Sequence, residues 1–437
     1  MQRNITQKLL EWKSAINRKP MIVRGARQVG KSYSIRDFGA NYFEGNIHVI
    51  NLENRPDWHS VFEKNIDPAR IIAELEILIN KRIQIGKDLV FFDEIQECPK
   101  AILALRYFYE QIPELHVIAA GSLLEFALKD ISFPVGRVQL LNMYPMNFYE
   151  FLQASGKTLL AEIIDKKPGK LADNIHQLLK DELRKYFFIG GMPECVKVYA
   201  ETNSMAEVFT IQSDLINTFR QDFSKYALYS DKRCINTVLS SVAQQVGTQI
   251  KYSRLAEGFT NPTIKKAFEL LETARLFKKV IAANPSGMPL GAGVNDKLFK
   301  VIMLDIGLFS NLSGLNVAKE FLQTDLLSIF RGALAEQFVG QELISAGHDD
   351  LFYWSRQAKS SNAEVDFLIE TNAEIVPVEV KSGPSGSLKS LHILFNSYPN
   401  IQKAFVFSDS PFGGIPEQKI TFIPLYYVSS ASKSFET

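Results

Sequence analysis

The chain has 437 residues with a formal net charge of +1; 46% of its residues are hydrophobic and 22% are charged. A chain of this length divides into about two to four domains, and its balanced charge excludes a global attraction to nucleic acid, so any basic surface must be local. Its three cysteines stand far apart without a metal-binding spacing, and no run of about 18 apolar residues occurs, so we expect a cytoplasmic protein without disulfides or a membrane partner.

The first predicted elements are a strand, a loop and a helix. The apolar residues Met21 to Val23 precede a loop that fits G-x-x-x-x-G-K-[ST] at every required position, and Ser34 to Phe38 begin a helix. The glycines let backbone N–H groups close around a phosphate, and the helix N-terminus adds partial positive charge. Lys31 is expected to reach the β- and γ-phosphates, and the Ser32 hydroxyl to ligate Mg²⁺. We therefore assign nucleotide binding to Gly25, Ala26, Arg27, Gln28, Val29, Gly30, Lys31, Ser32 and Tyr33.

A second strand is predicted where an apolar run from Asp88 to Phe92 leads into Asp93 and Glu94. Such a run is typical of a central parallel strand covered on both faces, and ligands bind at the carboxyl ends of these strands. Asp93 is therefore a candidate to hold Mg²⁺ with Ser32, directly or through water, and Glu94 to orient or deprotonate an attacking water. Alone, the pattern fits a solvated acidic turn equally well; the phosphate loop favours the functional interpretation.

Leu115 to Ala120 form a third predicted strand, followed by Gly121 and Ser122. Ser122 is a candidate to sense the γ-phosphate and, compatibly, to cap the helix predicted to begin at Leu123. Arg137 is a further candidate, because an arginine here reaches the γ-phosphate of its own or a neighbouring subunit and stabilises transition-state charge. A plain surface arginine explains Arg137 as well. If Arg137 completes a neighbour's site, the protein is a homo-oligomer.

These segments resemble the P-loop ATPases of the AAA-like group found in bacteria and archaea, in particular those whose C-terminal part is a domain of unknown function. The similar segments are GARQVGKS, LVFFDEIQ, AAGSLLEFAL and PVGRVQLLNMYPMNFYEFL, together with Phe188 to Pro193. The resemblance covers nearly the whole chain. It implies that the protein binds and hydrolyses ATP with the help of Mg²⁺.

The middle of the chain is predicted to be helical at first. From about residue 175 to residue 230 apolar positions recur three and four apart, which suits a helical lid that moves with nucleotide state. The order of helix, turn, helix, strand, loop and strand that follows is that of a winged helix. Its second helix, near Asn261, is predicted to leave Lys265 and Lys266 outward for DNA phosphates. The alternative is a module that only packs against other domains.

Near the C-terminus, Glu364 to Glu370 and Ile375 to Lys381 are two predicted strands joined by a turn. A hairpin symmetric about Asn372-Ala373 places Asp366 opposite Glu379, with Lys381 on the same face as Glu379. Two facing carboxylates are destabilising unless something compensates their charge. Either Lys381 or a divalent cation, Mg²⁺ or Mn²⁺, would do so.

This arrangement resembles the PD-(D/E)xK nuclease superfamily. The resemblance implies that Asp366 and Glu379 hold a metal ion and that Lys381 helps to activate water or stabilise charge. Glu336 matches by position the acidic residue that this fold often carries on its first helix. The proline that names the motif is missing, since Val365 precedes Asp366, so retained cleavage activity stays open.

We therefore expect an α/β protein of four parts: a P-loop parallel-sheet ATPase core over 1–165, a helical lid over 166–230, a winged-helix module over 231–315, and a restriction-endonuclease-like domain over 316–437. One hypothesis is an ATP-driven switch or motor that acts on DNA or RNA and whose C-terminal domain is metal-dependent. The other is an ATP-regulated adaptor whose nuclease-like domain only binds its partner.

Overall fold

The computed structural model describes residues 3–124, 133–226, 232–314, 331–358, 361–371, 374–381, 388–433 and 435. Contacts divide the chain into two compact units, which we call the N-terminal unit (Met1–Tyr144 with Thr273–Arg275) and the C-terminal unit (Pro145–Glu272 with Leu276–Thr437). None of the helices among the described residues has the length and apolar character that a membrane span needs.

The N-terminal unit is built on a parallel sheet of five strands in the order β2-β3-β4-β1-β5. Its strands are β1 (Met21–Arg24), β2 (Ile47–Asn51), β3 (Leu89–Asp93), β4 (His116–Gly121) and β5 (Gln139–Asn142). Its described helices are α1 (Ile5–Ser14), α2 (Lys31–Tyr42), α3 (Ser60–Glu63), α4 (Pro68–Ile79) and α5 (Pro99–Gln111). Strands β3 and β4 are buried along their whole length, which is why their sequences are continuously apolar.

The order of the strands positions the functional residues. Strand β4 lies between β3 and β1, as its pairing with both shows. All three strands run in the same direction, so Arg24, Asp93 and Gly121 end them at one edge of the sheet. The core beneath includes Phe92, whose ring centroid lies 5.8 Å from that of Phe62 and 6.1 Å from that of Phe108.

The C-terminal unit combines many helices with a mixed sheet of eight strands in the order β12-β13-β11-β10-β9-β8-β6-β7. The strands are β6 (Phe277–Ala283), β7 (Val294–Met303), β8 (Phe352–Ala358), β9 (Ser361–Glu370), β10 (Ile375–Lys381), β11 (Ala404–Ser408), β12 (Gly413–Ile415) and β13 (Ile420–Pro424). The described helices are α6 (Phe148–Ala154), α7 (Thr158–Asp165), α8 (Asp173–Ile189), α9 (Pro193–Thr202), α10 (Met205–Tyr226), α11 (Lys232–Gln244), α12 (Asn261–Thr273), α13 (Ile306–Leu312), α14 (Arg331–Ser345), α15 (Lys389–Ser397) and α16 (Val428–Lys433). The parallel sheet, the helices and the mixed sheet confirm the predicted α/β class.

The predicted winged-helix order is present, but it does not end in a separate sheet. Helix α12 begins at Asn261, near the predicted start, and its apolar face is buried while Lys265 and Lys266 are exposed. Strand β6 pairs with β8 in parallel, so the hairpin of β6 and β7 belongs to the same sheet as the C-terminal strands. The predicted domain boundaries after residues 165, 230 and 315 stay predictions.

The hairpin of β9 and β10 has the predicted register. Val378 pairs with Phe367 and Pro377 with Leu368, and the same register continued by one residue sets Glu379 opposite Asp366. The backbone N–H of Val380 donates to Asp366 Oδ2 at 2.8 Å. The turn residues Asn372 and Ala373 lie outside the described residues.

Two segments that carry the family resemblance meet in the interior of the C-terminal unit. The carbonyl of Gly191 accepts from the N–H of Met146 at 2.7 Å, and a Cβ on Gly191 would lie 1.9 Å from the Met146 carbonyl oxygen. The buried carboxylate of Asp305 accepts from the Gly191 N–H at 2.6 Å and caps α13 through two further N–H groups. These segments therefore hold the unit together, and glycine is required at position 191 because nothing larger fits.

Candidate functional site

The phosphate loop joins β1 to α2 and has the backbone geometry that its glycines predict. Gly30, the residue before α2, has φ +96°, and Gln28 also lies in the left-handed region with φ +63°. A Cβ on Gly25 would come within 2.2 Å of the Met143 carbonyl oxygen, so the chain passes there only as glycine. The loop delivers the N-terminus of a 12-residue helix to the carboxyl edge of the sheet, where its free N–H groups bind anions.

Lys31 is buried in this loop. Its Nζ donates to the carbonyls of Gly25 at 3.0 Å and Ala26 at 2.8 Å. Burial lowers the pKa of Lys31 to about 8, against the opposing charges of Glu94 and Asp93. The ammonium is thus held within the loop, where it can neutralise the charge of a phosphate.

Ser32 and Asp93 are in contact. The Ser32 hydroxyl donates to Asp93 Oδ1 at 2.7 Å, while Oδ2 of the same carboxylate faces Asn51 Nδ2 at 3.4 Å and Arg36 at 3.8 Å. Burial raises the pKa of Asp93 above its ordinary value. A hydroxyl beside a carboxylate is the protein's share of the Mg²⁺ shell in phosphate-loop NTPases, since phosphates and water supply the other oxygens. The two residues therefore fit the predicted ion.

Glu94 and Ser122 are also brought together, as the strand order requires. Glu94 Oε2 accepts from the Ser122 hydroxyl at 3.2 Å and from Gln96 Nε2 at 2.7 Å. Glu94 has φ +50°, a left-handed conformation that costs a non-glycine residue about 1 kcal/mol and is concentrated at functional sites. The helix that Ser122 was expected to cap was predicted to begin at Leu123, and its residues from 125 onward lie outside the described part.

One cavity collects most of these side chains. It has a volume of about 230 Å³ and is lined by Arg27, Gln28, Gly30, Lys31, Ser32, Tyr33, Glu94 and Ser122. Val29 is buried beneath the loop, and its carbonyl accepts from Arg3 Nη1 at 2.9 Å.

Arg137 does not line the cavity; its Nε donates to Glu110 Oε1 at 2.9 Å on the surface. A role for Arg137 in its own or a neighbouring site stays a prediction.

The carboxylates predicted for a second site lie around a lysine that the sequence did not single out. Nζ of Lys300, on β7, lies 3.0 Å from Glu336 Oε1 and 3.6 Å from Asp366 Oδ1, and it also contacts Glu364 Oε1. Lys300 is 1% exposed. Burial disfavours its charged form, but the three carboxylates more than offset this, so its pKa is raised above the ordinary value.

The remaining members of this second site pair with each other. Lys381 Nζ contacts Glu379 Oε1, and burial together with the nearby charge of Asp366 raises the pKa of Glu379 to about 8. Glu379 Oε2 has no hydrogen-bond partner among the described residues. Among those residues, no group of three or more His, Cys, Asp or Glu side chains is arranged to hold a metal ion.

Three domain families match successive parts of the chain. Residues 17–152 match an AAA domain, residues 180–319 a domain of unknown function (DUF8612), and residues 331–427 a domain of unknown function (DUF4143). The stretch that matches the AAA domain contains the phosphate loop, the acidic strand and Ser122, and phosphate-loop NTPases use such residues to bind and hydrolyse ATP.

The individual proteins similar to this chain have low sequence identity to it, between 11% and 24%. An uncharacterised protein of Haemophilus influenzae is 24% identical over 297 residues, which cover 64% of this chain and 66% of that protein. Solved structures similar to this chain include C. elegans PCH-2, with 13% identity over 47% of this chain and 64% of that chain (TM-score 0.29). The Thermotoga maritima RuvB Holliday junction branch migration motor has 17% identity over 68% and 93% (TM-score 0.29). Drosophila ORC bound to DNA has 11% identity over 73% and 95% (TM-score 0.26).

Arg275 is a cation near the site that sequence reasoning missed, and it lies outside the stretch that matches the AAA domain. The segment Thr273–Arg275 belongs to the N-terminal unit, although both flanking stretches of chain belong to the C-terminal unit. Arg275 Nη1 donates to Asn142 Oδ1 at 3.2 Å, and the same oxygen accepts from Arg24 Nε at 2.8 Å. The charge of Arg275 contributes to lowering the pKa of Lys31. Nothing local in the sequence marks this arginine, since its partners lie far away along the chain.

We expect Arg275→Ala to weaken ATP binding about tenfold, which is about 1.4 kcal/mol, because the positive charge that acts on Lys31 is lost. Affinity measured with a fluorescent ATP analogue, for the variant and for wild type, checks this. Lys266→Ala is the matched control, since Lys266 is exposed on the helix that precedes Arg275. Equal affinities for Arg275→Ala and wild type would remove Arg275 from the site.

Proposed function

We propose that this protein is an ATP-hydrolysing switch that acts on nucleic acid through its C-terminal unit. The observation that carries the proposal is the single cavity that Lys31, Ser32, Glu94 and Ser122 share, with Asp93 directly bonded to Ser32. These are the types of residue that phosphoryl transfer to water uses.

The roles follow from the contacts. Lys31 and the N-terminus of α2 bind the phosphates, and Ser32 and Asp93 would hold Mg²⁺, which neutralises phosphate charge when bound. Glu94 accepts the proton of the attacking water or orients it, once its carboxylate leaves Ser122 and Gln96. Ser122 then has its hydroxyl free for the γ-phosphate. In this proposal Ser122 couples the position of Glu94 to the presence of that phosphate.

The nucleic-acid part of the proposal rests on two features of the C-terminal unit. One is the helix α12, which exposes Lys265 and Lys266 in the position of a winged helix's second helix. The Nζ atom of Lys265 lies 3.7 Å from Glu269 Oε1, so part of its charge is neutralised. The remaining surface is weakly basic, which suits contacts with phosphates rather than recognition of bases. The other is the hairpin of β9 and β10, whose register sets Asp366 opposite Glu379 as in the PD-(D/E)xK arrangement.

An ATP-regulated adaptor is the second candidate. It is favoured by a specific observation, the ammonium of Lys300 among the carboxylates that a nuclease would use for its metal. In the adaptor the C-terminal unit binds its partner and hydrolysis resets the complex, without cleavage of a phosphodiester.

ATP turnover in the presence of nucleic acid tests the proposal. Wild-type turnover is expected to rise several-fold with double-stranded DNA, single-stranded DNA or RNA, and Glu94→Gln is expected to bind ATP but to hydrolyse it at least about 100-fold more slowly, because its amide accepts no proton from water. Phosphate release measured with each nucleic acid gives both results.

Glu97→Gln is the matched control, since Glu97 is an exposed carboxylate three residues further on. It should behave as wild type. ATP turnover by Glu94→Gln at the wild-type rate would contradict the role of Glu94. Wild-type turnover that does not change with any nucleic acid would contradict a nucleic-acid partner and would favour a protein as the target of the adaptor.

A further inference from the structure

We propose that Lys300 is a built-in cation that takes the place of the divalent metal ion in the nuclease-like carboxylate cluster. The C-terminal unit would then keep the architecture of that site without binding Mg²⁺ or Mn²⁺ in it. The inference deepens the C-terminal half of the proposed function and is independent of the ATPase half.

The cluster has an excess of acidic side chains that requires compensation. Glu336 on α14, Glu364 and Asp366 on β9, and Glu379 on β10 come from three different elements. Glu336 and Glu379 are 7% and 4% exposed. Facing carboxylates at such burial repel one another and lose hydration, so a cation must lie among them or protons must neutralise them.

Lys300 supplies that cation from within the fold. Its ammonium donates to Glu336 Oε1 at 3.0 Å, contacts Glu364 Oε1, and forms a longer ion pair with Asp366 Oδ1 at 3.6 Å. The ring centroid of Tyr353 lies 5.2 Å from Nζ and closes another side. The lysine is therefore fully engaged and not accessible to solvent or to a substrate.

A divalent cation does not fit beside this ammonium. Mg²⁺ and Ca²⁺ lie about 2.0 to 2.6 Å from their oxygen ligands, so an ion shared by Glu336 and Asp366 would occupy the space of Lys300 Nζ, which lies 3.0 Å and 3.6 Å from those carboxylates. Two cations so close in a buried site repel each other strongly. Lys381, which contacts Glu379, adds a second positive charge to the same group of carboxylates.

The sequence interpretation left two ways to compensate the facing carboxylates, a divalent cation or Lys381. The structure adds a third, because Lys300 of β7 lies against Asp366 while Lys381 contacts Glu379. The resemblance to the PD-(D/E)xK nucleases implies a metal ion among these carboxylates, whereas in this protein a lysine lies there. Asp366, Glu379 and Lys381 then fix the hairpin and the helix α14 in place instead of activating water.

Binding of Mn²⁺ to the full-length protein without nucleotide tests the proposal. We expect Lys300→Met, which removes the charge and keeps the length of the side chain, to gain one Mn²⁺ site at least tenfold tighter than any in wild type. Electron paramagnetic resonance of free and bound Mn²⁺ measures this. Adding Asp366→Asn to Lys300→Met should remove the new site, which assigns it to the cluster.

Lys279→Met is the matched control, because Lys279 pairs with a single carboxylate, Glu272, at 2.8 Å and should create no Mn²⁺ site. Failure of a folded Lys300→Met protein to gain Mn²⁺ overturns the proposal. If Lys300→Met does not fold, wild type and Asp366→Asn decide alone: equal Mn²⁺ binding supports the proposal, and loss of a site in Asp366→Asn overturns it.

Cleavage gives a second readout. Wild type and Lys381→Ala should be equally inert on plasmid and single-stranded DNA and RNA with Mg²⁺ or Mn²⁺, and cleavage that depends on Lys381 would contradict the inference. Neither outcome depends on ATP turnover or its response to nucleic acid, so a failure of the ATP-driven switch and a failure of the Lys300 proposal are distinguishable.

Discussion

Lys31→Ala is expected to lower ATP turnover at least about 100-fold, to the limit of detection. The variant removes the only ammonium that lies in the loop among the described residues lining the cavity, and with it the charge that faces the β- and γ-phosphates in the transition state, where a single donor contributes about 10²–10³ in rate. Phosphate release at saturating ATP and Mg²⁺ measures the effect.

The control for Lys31→Ala is Lys81→Ala, since Lys81 is an exposed lysine of the same unit that takes no part in the loop. It should hydrolyse ATP at the wild-type rate. Because Lys31 Nζ also bonds the carbonyls of Gly25 and Ala26, a thermal melt of each variant is needed to show that the loop's host unit stays folded. Turnover in a folded Lys31→Ala protein within twofold of wild type would exclude the loop as the hydrolytic site.

Gly191→Ala is expected to destabilise the C-terminal unit by about 3 kcal/mol. The added methyl group would lie 1.9 Å from the Met146 carbonyl oxygen and 2.8 Å from its carbonyl carbon. These are backbone atoms, so relief requires the two chain segments to separate and to lengthen the hydrogen bond between Met146 N–H and the Gly191 carbonyl. The midpoint of urea unfolding, followed by circular dichroism, measures the loss.

Gly169 provides the comparison, because a Cβ there meets nothing within 4 Å. Gly169→Ala should leave stability unchanged or raise it by about 0.5 kcal/mol through the unfolded chain. If Gly191→Ala unfolds at the same urea concentration as Gly169→Ala, then the backbones at Gly191 and Met146 do not pack tightly in solution, which contradicts the prediction.

The sequence predicted which side chains meet at the candidate ATP site because its signals are local. The phosphate loop is contiguous in the chain, and the backbone conformations of Gln28 and Gly30 are built into the loop itself. Asp93 and Ser122 each follow directly on a buried strand, and parallel strands place their carboxyl ends at one edge. The register of the C-terminal hairpin was predictable for a similar reason, because a short turn fixes the pairing of the strands that it joins.

The residues that sequence reasoning missed have partners far away along the chain. Arg275 bonds Asn142 across 133 positions, and Lys300 bonds Glu336 across 36. A lysine in a strand and an arginine after a helix carry no mark of their partners. In the sequence, the two glycines at positions 190 and 191 are only part of a segment that resembles the family. The fold shows why they are glycines, because a Cβ there would meet the carboxylate of Asp305 or the backbone of Met146.

By itself, then, the sequence determined a loop with the phosphate-binding pattern, an acidic strand, an α/β class and a hairpin with two facing carboxylates. Only the tertiary structure decided what compensates those carboxylates, since a buried charge is compensated by whichever opposite charge the packing brings within about 4 Å, regardless of chain position. In this protein Lys300 lies 3.6 Å from Asp366 Oδ1, while Lys381 contacts Glu379 Oε1.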